Sequence, residues 1–201
     1  MEVTIDKDRL DFLMYAYFGG DSNPYPASSK RAYRDLCRTL RFHGGSGEEY
    51  RAYIDGLLER RIVALLLETL RSQKEYDSWH HALCNEMVEY YKNKDVVFNI
   101  GHAQKWINMI MKYLFIQGDI NIAPVFEYLH VPIDQYIITV AEQQLSIPRP
   151  CAAWSKITDY GLYLRYQKQL RAAVGEAPMR WEFQSWLSEA TNKKSDEYAQ
   201  R

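Results

Sequence analysis

The sequence predicts an all-α protein: a globular multi-helix fold in one domain, 1–201, with helical lobes at 1–95 and 96–190 flanking a cleft. Three observations carry the prediction. Apolar residues recur at spacings of three and four along successive stretches of the chain. β-branched residues hardly alternate over five or more positions, so strands have little to grow from. The stretches are separated by glycine and proline clusters such as Gly44-Gly45 and Ile147-Pro148-Arg149-Pro150. No internal repeat of fixed period is visible.

In chain order, a first helix is expected over 30–42, stopped by Gly44-Gly45. A long one follows over 48–73, with Leu57, Leu58, Val63, Leu65, Leu66 and Leu70 able to reach a core. The next, 77–92, places Trp79, Leu83, Met87 and Tyr90 on one stripe. Helices over 101–115, 134–145, 155–174 and 179–190 complete the set. Loops are expected at 19–29, 42–47, 117–132 and 147–153, and the polar tail 191–201 is expected to fray.

Composition excludes several classes. Of the 201 residues 47% are hydrophobic, and the net charge is −1, which rules out an intrinsically disordered chain. The longest aliphatic run, Ile62 to Leu67, is far too short to span a membrane. The N-terminal residues lack the charged-then-apolar pattern of a signal peptide, so a cytoplasmic protein is expected. Cys37, Cys84 and Cys151 show no CxxC or Cys/His metal spacing. They read as reduced, buried thiols, and neither a metal nor a cofactor is expected. Adjacent His80 and His81 cannot face one metal from a helix and read as ordinary polar residues. The 16 tyrosines and five tryptophans are the unusual entries of the composition.

Two features suggest chemistry. Arg31, Arg34, Arg38 and Arg41 are spaced three, four and three, so one helix would carry four guanidinium forks on one face, matched to phosphate oxygens. Such a stripe also suits the solvated face of an amphipathic helix. The second feature is a pair of segments. In Asn99 to Tyr113, Gly101, Lys105, Asn108 and Lys112 share one helical face, which reads equally as a solvated side. In His130-Val-Pro-Ile-Asp134, the aspartate stands where a helix begins and reads equally as a plain N-cap.

Glycine, then a lysine on the helix after it, then V-P-I-D opening the next helix together resemble the helix-hairpin-helix DNA glycosylase superfamily, over roughly residues 95–190. Lys105 and Asp134 are 29 residues apart, which is nearest the archaeal 8-oxoguanine DNA glycosylase branch. Pro178-Met-Arg-Trp-Glu182-Phe-Gln-Ser-Trp186-Leu187 is similar to that branch's late P-x-x-x-[DE]-x-x-x-W-L stretch. The resemblance implies DNA repair chemistry on a flipped damaged base, with an AP lyase step. It implies Lys105 as nucleophile, Asp134 as the essential acid, and Glu182 and Trp186 as base-pocket residues. It also implies backbone N–H groups around Gly101 as a phosphate site, with the arginine stripe holding the strand on the far side of the cleft. The family's hairpin glycine lies two residues before its lysine. Here Gly101 lies four before Lys105, which leaves Ala103 as a second possible lysine slot. No iron–sulfur cysteine pattern follows.

Two other readings stand beside this one. A non-enzymatic all-α protein could bind nucleic acid or a protein partner through the arginine stripe and exposed tyrosines. A helical ribonuclease could pair Arg38, or less aptly Arg41, with His43. Convergence of Lys105 and Asp134 in one cleft is expected of a glycosylase, whereas a binding module would leave Lys105 on the open surface.

Overall fold

The structure, a computed structural model, describes residues 2–20, 23–42, 47–69, 72–94 and 96–199. Among them it contains nine α-helices, two short 3-10 turns and no strand, with one isolated bridge between Phe42 and Val96. The helices are α1 Glu2–Phe18, α2 Pro24–Leu36, α3 Gly47–Leu67, α4 Gln73–Lys92, α5 Ile100–Gln117, α6 Ala123–Phe126, α7 Gln135–Leu145, α8 Tyr160–Val174 and α9 Pro178–Ala199. No helix among the described residues is long and apolar enough to cross a membrane.

The expected helices are present with shifted ends. α2 starts earlier than its apolar pattern, because Asn23 caps Tyr25 N–H and Pro24 preorganises the first turn. It also ends earlier. The Thr39 hydroxyl donates to the Leu36 carbonyl at 2.7 Å, Cys37–Thr39 tightens into a 3-10 turn, and Leu40 is extended. The four-arginine face is therefore broken: Arg31 and Arg34 lie on α2, Arg38 lies on the turn, and Arg41 lies beyond it. In α4 the buried set is Tyr76, His80, Leu83, Cys84, Met87 and Tyr91, while Trp79 and Tyr90 flank it. In α3 the core takes Ile54 and Ile62 with Leu57, Leu58 and Leu65, and Val63 and Leu66 are only partly buried. Leu70, His43 and Gly44-Gly45 lie outside the described residues. α1 was not expected: its Leu10, Phe12, Leu13 and Tyr15 remain exposed, so no apolar stripe marks it. α9 runs on to Ala199, through most of the stretch expected to fray. Of the three cysteines, all free, only Cys84 is buried, which corrects the expectation for Cys37 and Cys151.

The axis of the fold is α5. Every residue from Ile100 to Leu114 is buried, the polar ones included. Asn99 and His102 form a capping box at its start, and left-handed Gly118 ends it. α2 packs along it through the small residues Ala27, Ser28, Ser29 and Ala32. Ser29 accepts from Trp106 Nε1 at 3.0 Å and donates to Asp55. One hydrophobic cluster runs from Ala32 to Met179, through both halves of the chain.

Gly101 is a packing residue. Its N–H donates to the Ile157 carbonyl at 2.9 Å, and a Cβ there would sit 1.9 Å from the Trp154 carbonyl oxygen. The N–H groups at this end of α5 thus serve the fold through Ile157 and Asn99, which corrects the expectation of a phosphate site at Gly101. Gly101→Ala must push the 154–157 backbone away and is expected to cost about 3 kcal/mol, measured by urea denaturation.

Among the described residues three histidines are buried: His80, His102 and His130. His80 sits in a polar cluster, its Nδ1 3.0 Å from the Tyr160 hydroxyl and its Nε2 3.1 Å from Asn108 Oδ1. Burial lowers the pKa of all three, His102 to about 4, and the nearby His130 lowers His80 further. Each is depressed on folding, so the unfolded chain takes up protons first as pH falls. Their contribution to stability is complete above the unfolded value of about 6.5 and is lost as pH drops through the folded values. Melting temperature is expected to fall steadily from pH 7 to pH 4 in circular dichroism melts. His102→Gln, which preserves a capping box, should show a shallower fall.

Candidate active site

A cleft of about 690 Å3 opens beside α5. α5 supplies one wall, because Lys105 and Lys112 are two helical turns apart and share a face. Asp134 enters from the start of α7, and Glu182, Phe183 and Trp186 enter from α9. α2 and the turn after it contribute Arg31, Arg34, Asp35 and Arg38, and Tyr17 comes from α1. Lys105, Asp134, Glu182, Trp186 and three of the four arginines thus line one cavity. Arg41 and Gly101 do not. Ala103 is fully buried and off the cleft, so of the two lysine slots Lys105 is the one that reaches it.

Lys105 Nζ lies 2.6 Å from Asp134 Oδ2, with side-chain exposures of 5% and 13%. The other carboxylate oxygen of Asp134 accepts the Ile137 N–H at 3.0 Å, so the residue is an N-cap and an ion-pair partner at once. One turn-pair along, the Lys112 ammonium lies 2.8 Å from Glu182 Oε1 and 2.7 Å from Oε2. Burial raises the Glu182 pKa, and Lys112 opposes that rise. The same ammonium stands 4.9 Å from the Phe183 ring centroid and 5.6 Å from that of Trp186. Trp186 leans on Tyr136 at 5.5 Å, so its indole has a supported face. Where α5 meets α2, the Tyr113 hydroxyl donates to Asp35 at 2.5 Å. Burial and that carboxylate push the phenol pKa up, holding it as a proton donor. Arg31 packs 4.0 Å over the Tyr17 ring, while Arg34 and Arg38 reach solvent.

Placement of Asp134 depends on two glutamines that the sequence pattern does not mark, Gln104 and Gln167, and on Asn108, which shares the face of Lys105. Gln104 accepts the Ile133 N–H at 3.1 Å and donates to the Ile133 carbonyl at 3.0 Å. Gln167 on α8 does the same to Val131, at 3.1 and 2.7 Å. Two amide side chains thus grip the backbone on either side of Pro132, the residue with no N–H to offer. Asn108 Nδ2 extends the grip, donating to Gln104 Oε1, the Val131 carbonyl and the Tyr163 hydroxyl. The signal for Gln104 was its place four residues before Asn108 on the same helix. The other missed wall residues, Tyr17, Asp35, Tyr113 and Tyr136, carry no local mark. Among the described residues no group of three His, Cys, Asp or Glu side chains could hold a metal ion.

The arrangement can hold a proton between an amine and a carboxylate, stack a flat ring and meet anionic oxygens along the arginine wall. Gln104→Leu strands the Ile133 N–H and carbonyl and is expected to cost about 3 kcal/mol, a fall of about 6–12 °C in melting temperature by calorimetry. No family model, no curated protein and no solved structure matches this chain.

Proposed function

We propose that the protein is a DNA glycosylase with AP lyase activity, excising a damaged base flipped out of the duplex. The observation that supports this most is the 2.6 Å contact of Lys105 with Asp134 inside a cleft that Glu182, Trp186 and three arginines also line. A base within a duplex is unreachable, and an extruded one needs a stacking face and hydrogen-bond partners. Trp186, backed by Tyr136, offers the face, and the Glu182 carboxylate offers acceptors for the base's N–H groups. Arg31, Arg34 and Arg38 would meet backbone phosphates across the cleft.

In this reading Asp134 takes the proton from the Lys105 ammonium, and the freed amine attacks the sugar C1′. The C1′–N bond breaks with its electron pair going to the base, which leaves carrying the proton that Asp134 held. Positive charge building on the sugar is stabilised by the same carboxylate. A proton passes from the attached nitrogen to the ring oxygen O4′ as the ring opens to an iminium on Lys105; loss of a C2′ proton then expels the 3′ phosphate and cleaves the strand. The net charge of −1 leaves attraction for DNA to the local arginines, so affinity should be selective and salt-sensitive.

Borohydride converts such an iminium to a stable secondary amine. A covalent complex is expected on a duplex carrying 8-oxoguanine or an abasic site, and Lys105→Ala should abolish it while the melting profile shows a folded chain. Trapping that survives Lys105→Ala would move the nucleophile to Lys112. No trapping and no base release from a panel of lesions, with salt-sensitive DNA binding retained, would instead identify a non-enzymatic nucleic-acid-binding protein.

A further inference from the structure

A second cavity, of about 250 Å3, lies between α8 and the segment 148–158. It shares no lining residue with the cleft. Its walls are apolar, with Pro148, Pro150, Ile157 and Leu162 among them. An aliphatic cavity of about 150 Å3 already accommodates benzene, so this one has room for a larger flat ring system. Its charged lining residues are all cations: Arg149, Lys156 and Arg165. Arg149 is answered by Glu142 at 2.6 Å. Lys156 and Arg165 form no close ion pair among the described residues, although Asp159 stands near Arg165, so the pocket carries positive charge on an apolar lining.

The Tyr166 ring adds to the apolar wall of this cavity, while its hydroxyl is buried away from the open space. Burial pushes that phenol up to about 12, so the wall stays uncharged at neutral pH.

We propose that this cavity is a binding site for a small aromatic carboxylate, with its ring against Pro150, Ile157 and Leu162 and its charge toward Lys156 and Arg165. Specificity follows from the chemistry: apolar walls take the ring, and the cations select the acid over a neutral compound of equal size. The site is independent of the glycosylase reading. It lies against the far side of the segment that presents Asp134, because Ile133 is one of its wall residues.

The test is titration of the full chain with 2-naphthoate and with its neutral counterpart 2-naphthamide, followed by calorimetry and ligand fluorescence. Saturable binding of the acid is expected, with the amide about tenfold weaker. The double variant Lys156→Gln with Arg165→Gln should remove that preference. Leu162→Trp should abolish binding of both probes; Leu162 is 42% exposed, so the change fills the cavity without opening the core. The proposal is overturned if the acid shows no saturable binding up to about 10 mM. It is also overturned if acid and amide bind equally, or if Leu162→Trp leaves binding unchanged.

Discussion

The grip of Gln104 on the Ile133 backbone is the constraint on which the rest of the structure depends. A helix buried on every side is ordinarily apolar on every side. α5 instead carries Gln104, Lys105, Asn108 and Lys112 into the interior, and each finds a partner there. The amides pair with the backbone of 131–133, which has no secondary structure of its own to satisfy it. That pairing fixes where α7 begins, and the first residue of α7's cap is Asp134. Neighbouring residues of one helix thus divide the work: Gln104 locates the loop, and Lys105 meets what the loop presents.

Two ion pairs in a half-buried cleft are not explained by stability. Removing lysine and acid from water costs several kcal/mol per charge, and the Coulombic return in a protein interior seldom exceeds that. A pair of apolar side chains would fill the same space at less cost. Charges kept under such conditions are often kept for what they do, and Lys105–Asp134 and Lys112–Glu182 lie side by side along one wall, facing arginines. The near-zero net charge of the chain is a sum over the whole molecule, and so says little about the five cations that line the cleft or the three that line the smaller cavity beside α8.

Much of the fold was legible because helical periodicity is a local signal. α3, α4, α5, α7 and α8 lie close to where spacing put them. The failures are instructive. α1 packs too little to need an apolar stripe. α2 begins at an Asn-Pro cap inside a stretch that reads as loop, and it ends where Thr39 bonds its own backbone. The Trp79–Tyr90 stripe was off by about one position because Tyr76 and His80 are buried by partners on α8 and on the 129–134 loop. No periodicity encodes such partners.

What the sequence by itself determined is the all-α class, the position of α5, the cap at Asp134 and the residues that could do chemistry. Each is written in spacing over four to eight neighbours, the range over which a helix correlates side chains. Only the tertiary structure decided which of those residues meet. Lys105 and Asp134 are 29 positions apart, and Lys112 and Glu182 are 70 apart. Separations of that length are closed by packing, through Gln104, Asn108 and Gln167, and not by any local preference. The same packing turned Gly101 inward against Trp154 and left Arg41 outside the cleft.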